Sequence, residues 1–216
     1  MPSSWIIISI AIVMTSFAAG FGFFYLVSPL TKEVKKHQQE ELLSLLINYF
    51  IYIWVGKVIL NIGAFFSDPL AILAYPSNAN AFYVATLLTA VNVIYIEKKG
   101  KIAFVQLITV FVPVFLTASF VYEFFQMMLN GHSFGWGYMG VAMVLLMAFM
   151  YFHDRIGAEK ISFYLMIAWS LGQLLLSVMM PYASVFGYLL EPWFIAIILV
   201  VFMLLFFYYN RKRVSL

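Results

Sequence analysis

The sequence contains no cysteine and few charged residues. Of its 216 residues, only 10% are Asp, Glu, Lys or Arg, whereas 65% are hydrophobic. The absence of cysteine excludes thiolate chemistry, disulfides and thiolate metal sites. The high hydrophobic content and the scarcity of charge together exclude a soluble globular domain. A chain of this length has too small a core to hide so much apolar surface. The composition therefore predicts an integral membrane protein, partly covered by lipid.

The common catalytic and metal-binding spacings are also missing. The three histidines form no H-x-x-x-H pair, and the chain has no G-x-S-x-G or H-E-x-x-H motif. We therefore predict no metal site, no cofactor and no nucleic-acid partner. Because no polar segment is long enough to form a separate domain, residues 1–216 are interpreted as a single transmembrane domain.

Seven apolar stretches follow one another along the chain. Residues 102–128 would form about 40 Å of helix at 1.5 Å per residue, enough to cross a hydrocarbon layer of about 30 Å. The predicted spans are residues 5–29, 42–66, 81–96, 102–128, 138–152, 161–180 and 192–209. Pro69 to Asn80 is too short to span and contains two prolines, which predicts an interfacial or re-entrant segment. Pro181 to Glu191 is expected to be a charge-poor loop.

The basic residues are distributed unevenly between the two sets of loops. Eleven of the twelve Lys and Arg residues follow spans one, three, five and seven, and the loops after spans two, four and six contain none. The positive-inside rule therefore predicts an N-terminus outside and a C-terminus in the cytoplasm. This orientation requires an odd number of spans, which supports an all-α polytopic fold with seven transmembrane helices.

Two charged side chains of opposite sign lie inside the predicted spans. Lys57, the twelfth basic residue, is in span two, and Glu123 is the only charged side chain of span four. Counted from the outer helix ends, both fall in the outer half of the membrane, about 6 Å apart in depth. Because each charge is costly alone in hydrocarbon, the two should pair if their helices touch. The sequence is compatible with two interpretations of these residues: a structural ion pair, or a site that binds a lipid headgroup or polar substrate.

Further polar residues extend this candidate site on the predicted outer side. Gln126 and Asn130 follow Glu123 on the same span, and Gln173 of span six could reach a similar depth. With Lys57 and Glu123, they form the predicted set of lipid-binding or substrate-binding residues.

Short motifs add a resemblance to a known family. They are Glu41-Leu42-Leu43 at the start of span two, Gly56-Lys57-Val58 within it, Asp68-Pro69-Leu70 after it, Pro113 in span four, Asn130-Gly131 at its end, and Ser170-Leu171-Gly172-Gln173 in span six. In this order the segments resemble the bacterial prolipoprotein diacylglyceryl transferase family. The resemblance implies a diacylglyceryl-transferase-like fold in the bacterial cytoplasmic membrane. It also implies a phospholipid partner such as phosphatidylglycerol, and a lipoprotein or another membrane protein as a second partner.

The residues that carry the chemistry of this family are replaced. Its H-G-G signature would fall at residues 80–85, which contain neither histidine nor glycine, and two signature arginines fall at Phe124 and Gln173. Family members transfer a diacylglyceryl group from phosphatidylglycerol to a lipobox cysteine, and arginine suits the phosphate because it binds bidentately. We therefore predict a relative that has lost this transferase activity.

Three functions are compatible with these patterns. The first is a non-catalytic relative that binds a lipid, lipopeptide or membrane-protein partner at an outer-leaflet cavity. The second is an active membrane lipid or acyl-group transferase in which Glu123 or His132 is the catalytic base. His132 lies in a glycine-rich turn, where a solvated histidine is the commoner case. The third is a small transporter with a gating pair of Lys57 and Glu123, although the sequence has no inverted repeat.

Overall fold

The computed structural model describes residues 2–69, 78–131, 135–180 and 183–214, and these are mostly helical. The principal helices of the described residues are α1 (Pro2–Val27), α2 (Lys32–Leu60), α3 (Ile62–Ser67), α4 (Ala79–Lys98), α5 (Phe104–Asn130), α6 (Gly135–Ile156), α7 (Ala158–Met179) and α8 (Pro192–Val214). Two short strands, β1 (Ala183–Val185) and β2 (Tyr188–Leu190), pair in antiparallel orientation.

Within the described residues, seven helices are long and apolar enough to cross a membrane. Of the helices named above, α3 is too short to do so. Their length and composition make the chain an all-α, multi-pass membrane protein, as the sequence predicted. Each predicted span overlaps one of these seven helices. The predicted interfacial or re-entrant segment lies mostly outside the described residues, since residues 70–77 belong to the part not described.

Helix α2 begins well before the apolar span predicted for it. The preceding segment is rich in Lys, Glu and Gln, which are good helix formers, and Lys36 lies 3.8 Å from Glu40 one turn later. The helix ends at Leu60. Asn61 separates it from α3 and donates a hydrogen bond from Nδ2 to the carbonyl oxygen of Lys57 at 2.9 Å.

The chain divides into two compact units. Unit 1 comprises Met1–Lys35 and Ile108–Leu216, and unit 2 comprises Lys36–Leu107. Unit 1 therefore contains α1, most of α5, α6, α7, the hairpin of β1 and β2, and α8. Unit 2 contains most of α2, together with α3 and α4.

The core of unit 1 is centred on α5, which continues through Pro113. Val110, Val114 and Leu116 of this helix are essentially inaccessible to solvent. Helix α1 approaches the same region at Gly20, where a Cβ atom would lie 2.5 Å from the carbonyl oxygen of Val114. The close approach of α1 to α5 therefore requires glycine at this position.

In unit 2, α2 and α4 meet through small residues. Ala81 and Ala85 are completely buried, and a Cβ atom at Gly56 would lie 3.0 Å from the carbonyl oxygen of Ala81. The hydroxyl groups of Tyr49 and Thr86 lie 3.1 Å apart and link the same two helices. Small residues with an interhelical hydrogen bond are a common way for membrane helices to associate.

The segment between α7 and α8 is a β-hairpin, where the sequence predicted only a charge-poor loop. Phe186 and Gly187 at its turn have φ angles of 49° and 83°. Positive φ at both central residues is the pattern of a type I′ turn, which suits the twist of a two-residue hairpin. Asn-Gly is the usual sequence signal for this turn, and Phe-Gly is a weak one.

The hairpin reaches the middle turns of two helices in unit 1. The Phe186 ring stacks on Phe17 of α1 at 5.1 Å between centroids and lies 6.0 Å from the Phe115 ring of α5. Phe17 is about 22 Å along α1 from its first residue, and Phe115 is about 22 Å from the last residue of α5. Strand backbone at membrane depth needs protein or a wet cavity around it. Ala183 and Val185 are accordingly buried.

Candidate functional site

A small polar cavity lies in unit 1 between α5, α6, α7 and the hairpin. Its polar lining is provided by Ser119, Tyr122, Glu123, Tyr138, Gln173 and Ser184. The volume open to the centre of a water molecule is about 10 Å³, which is room for about one water. The cavity can therefore hold one small polar group at a time.

Glu123 is the charged side chain of this lining, and it is only 7% exposed. It lies on α5, about 10 Å from the last residue of that helix. Its Oε2 atom would be 3.2 Å from a Cβ atom at Gly135, the first residue of α6. The carboxylate therefore faces the positive end of a helix dipole. Within the described residues of unit 1, Glu123 forms no ion pair.

Gln173 reaches the same cavity from α7. It belongs to a buried helical face with Met166 and Trp169, which precede it at the spacing of successive helical turns. Its side chain is 3% exposed, and Oε1 has no hydrogen-bond partner among the described residues. Leaving such an acceptor unpaired costs about 1–3 kcal/mol, so this oxygen marks a position for a water or a ligand donor.

Gln126 acts on the site through Tyr122. Its Nε2 atom donates a hydrogen bond to the Tyr122 hydroxyl oxygen at 2.8 Å. The Tyr122 ring packs edge-on against Phe186 at 5.4 Å, and its hydroxyl oxygen would be 2.7 Å from a Cβ atom at Gly187. Gln126 therefore helps to hold the side chain on which the tip of the hairpin rests.

Lys57 belongs to unit 2, whereas Glu123, Gln126 and Gln173 belong to unit 1. Lys57 is 7% exposed, and its ammonium nitrogen lies 4.9 Å from the centre of the Trp54 ring, within cation–π range. The pairing of Lys57 with Glu123 stays a prediction.

The remaining predicted site residues are at the end of α5 and beyond it. Asn130 is the last residue of α5. His132, the second candidate base, lies outside the described residues. The part of the chain that the structure describes contains no group of three His, Asp or Glu side chains able to hold a metal ion.

Sequence reasoning missed four polar residues of the cavity. Ser119 and Tyr122 come one turn and one residue before Glu123, so their nearness to it could have been found from helical spacing. Tyr138 was assigned only to a predicted span. Ser184 could not have been found, because its position depends on the hairpin.

No protein-family model, curated protein or solved structure matches the chain. The cavity itself combines a buried carboxylate, several hydroxyl groups and an amide oxygen that finds no hydrogen-bond partner in the described part of the chain. These groups are mainly hydrogen-bond acceptors or can serve as acceptors, so the site is suited to binding a small donor.

Proposed function

We propose that the protein is a non-catalytic relative of the prolipoprotein diacylglyceryl transferases that binds the polar head of a lipid or lipopeptide in the Glu123 cavity. One observation carries this proposal: a buried carboxylate lines the same cavity as a buried amide oxygen that has no hydrogen-bond partner among the described residues. An ionisable group inside a membrane helix is expensive and marks a functional site by default. Oε1 of Gln173, which has no partner within the described ranges, adds a second group in the same cavity that needs a hydrogen bond.

Binding is favoured over transfer by the residues at the signature positions. Phe124 and Gln173 stand where the family has arginines, so neither supplies a cation for a phosphate group. The positions expected for the H-G-G signature fall in α4, where Ala81 and Ala85 are buried and Ala81 packs against Gly56 of α2. We therefore expect the purified protein not to transfer diacylglyceryl to a lipobox peptide.

We also propose that the N-terminus faces the outside of a bacterial cytoplasmic membrane. The support is the absence of basic residues from three alternate loops and the presence of eleven in the others. In this orientation, the end of α5 that carries Glu123 belongs to the outer leaflet, where a lipid headgroup or a translocated lipopeptide would be encountered.

Lipid analysis of the purified protein tests the binding proposal. We expect the wild type to retain one lipid class or lipopeptide at close to one molecule per chain after extensive washing in detergent. The Glu123→Gln variant should lose it, whereas Glu33→Gln, which changes an exposed carboxylate, should not. Equal retention by wild type and Glu123→Gln, or retention by neither, would contradict the proposal.

A further inference from the structure

We infer that the group held in the cavity is a primary ammonium, supplied by an aminophospholipid headgroup or by the α-amine of a peptide. This inference rests on the proposed binding at Glu123 and identifies the chemistry of the ligand. It follows from the size of the cavity, its hydrogen-bonding groups and its charge.

The size of the cavity selects a small group. A volume of about 10 Å³ accommodates about one water molecule, and an ammonium group is close to water in size. A phosphate with four oxygens, or a choline group with three methyls, requires several times this space. The cavity would have to open to admit either one, whereas an ammonium group fits as the cavity stands.

The hydrogen-bonding groups select a donor. An ionised Glu123 carboxylate only accepts hydrogen bonds, and Oε1 of Gln173 is an acceptor without a partner among the described residues. An ammonium group has three donors and no acceptor. Two donors would satisfy Glu123 and Gln173, and the third would reach the hydroxyl of Ser119 or Ser184, which line the same cavity. A phosphate group would instead place its oxygen atoms against the acceptor oxygens of Glu123 and Gln173.

The charge selects a cation. A buried carboxylate is stable when it is paired and fully hydrogen-bonded. The first turn of α6 at Gly135 supplies at most about half of an elementary charge. Within the described residues of unit 1, Glu123 forms no ion pair that would complete the compensation. A cationic ligand provides the missing charge and the missing donors together.

Competition between lipids tests the inference. The full-length protein is reconstituted in phosphatidylcholine vesicles that contain equal small fractions of phosphatidylethanolamine, N-acetylated phosphatidylethanolamine and phosphatidylglycerol, and the lipids retained on extraction are quantified. We expect phosphatidylethanolamine to be enriched at least about tenfold over the other two, because charge-assisted hydrogen bonds of this kind typically change affinity by that factor or more. A short peptide with a free N-terminus, compared with its acetylated form, tests the other source of the amine.

Two variants with matched controls connect the enrichment to the cavity. Glu123→Gln should abolish it, and Gln173→Met should reduce it severalfold. Glu33→Gln and Gln106→Met change exposed residues of the same types and should leave it intact. Because Glu123→Gln can destabilise the helix bundle, Gln173→Met provides an independent variant, and only monodisperse samples are compared.

The outcomes separate this inference from the proposed function. Enrichment of phosphatidylglycerol that depends on Glu123 would overturn the ammonium assignment and leave lipid binding at the cavity intact. Enrichment of phosphatidylethanolamine that survives both variants would place the amine elsewhere and overturn the inference. If no lipid or peptide is enriched and Glu123→Gln changes nothing, both the ammonium assignment and the proposed function are wrong.

Discussion

Glu123 is the residue on which the interpretation of the site depends. A charged side chain inside a membrane helix is costly, by about 2.5–3.5 kcal/mol at the helix centre on insertion scales. Glu123 lies about 10 Å from the end of α5, in the outer part of the helix. The start of α6 at Gly135 offsets part of this cost. Protonation or a nearby cation can offset the remainder. Two sources of a cation are proposed: an external ligand, and Lys57, which the sequence predicts at a similar depth.

A double-mutant cycle separates these two sources. If Lys57 and Glu123 pair, then Lys57→Met and Glu123→Leu should each lower stability by about 3–5 kcal/mol, because each leaves a buried charge unpaired. The double variant should recover most of this loss, as measured by thermal unfolding in detergent. Losses that simply add would contradict the pairing. Strong coupling would mean that Lys57 supplies the cation, and it would contradict an external ammonium at Glu123.

Gly20 and Gly22 of α1 form a natural test of helix packing. A Cβ atom at Gly20 would lie 2.5 Å from the Val114 carbonyl oxygen, whereas one at Gly22 would meet nothing within 4 Å. Overpacking typically costs about 1–3 kcal/mol, and alanine gains up to about 1 kcal/mol over glycine in a helix. We expect Gly20→Ala to lower the unfolding temperature and Gly22→Ala to leave it unchanged or raise it. Equal stability of the two variants would show that α1 does not approach α5 this closely.

At the level of elements, the hairpin of β1 and β2 forms one wall of the cavity. Its strands are three residues each, and an isolated two-stranded hairpin is at best marginally stable in water. Its conformation therefore depends on contacts with the helices, chiefly those of Phe186 with Phe17, Phe115 and Tyr122. Changes at the turn should affect the wall of the cavity as well as the stability of unit 1.

Gly187→Ala tests the contact between the hairpin turn and α5. Gly187 and Gly100 both have positive φ, so alanine costs about 1–2 kcal/mol at either position. In addition, a Cβ atom added at Gly187 would lie 2.7 Å from the Tyr122 hydroxyl oxygen, whereas one added at Gly100 would meet nothing within 4 Å. We expect a larger loss of thermal stability for Gly187→Ala than for Gly100→Ala, with partial recovery when Tyr122→Phe is added. Identical losses, with no recovery, would show that the turn does not rest on Tyr122.

At the level of the whole molecule, cysteine labelling tests the predicted orientation. The chain has no native cysteine. Ser67, the last residue of α3, and Lys99, the residue after α4, are both exposed. With the N-terminus outside, the Ser67→Cys variant should react with an impermeant maleimide in intact cells, and the Lys99→Cys variant should react only after permeabilisation. The reverse pattern would invert the topology and move Glu123 to the cytoplasmic half of the membrane.

The sequence by itself determined the class of the protein and the approximate positions of its helices. Hydropathy is a local sum, and each apolar stretch must satisfy its own backbone hydrogen bonds in lipid, so the seven long helices could be predicted without knowledge of their neighbours. The same reasoning drew attention to Glu123, because a charge inside an apolar helix stands out. The position of Glu123 along its helix also predicted the depth of its side chain in the membrane.

Only the tertiary structure decided which polar side chains share a cavity. Depth along a helix does not specify which way the helix is rotated, so Gln173 could be placed near Glu123 in height but not on a common wall. Gln126, equally plausible from spacing, instead bonds to Tyr122. The hairpin could not be predicted because its turn has a weak local signal and its burial comes from long-range contacts. Such contacts depend on how α1, α5 and α7 pack together, which no local stretch of sequence encodes.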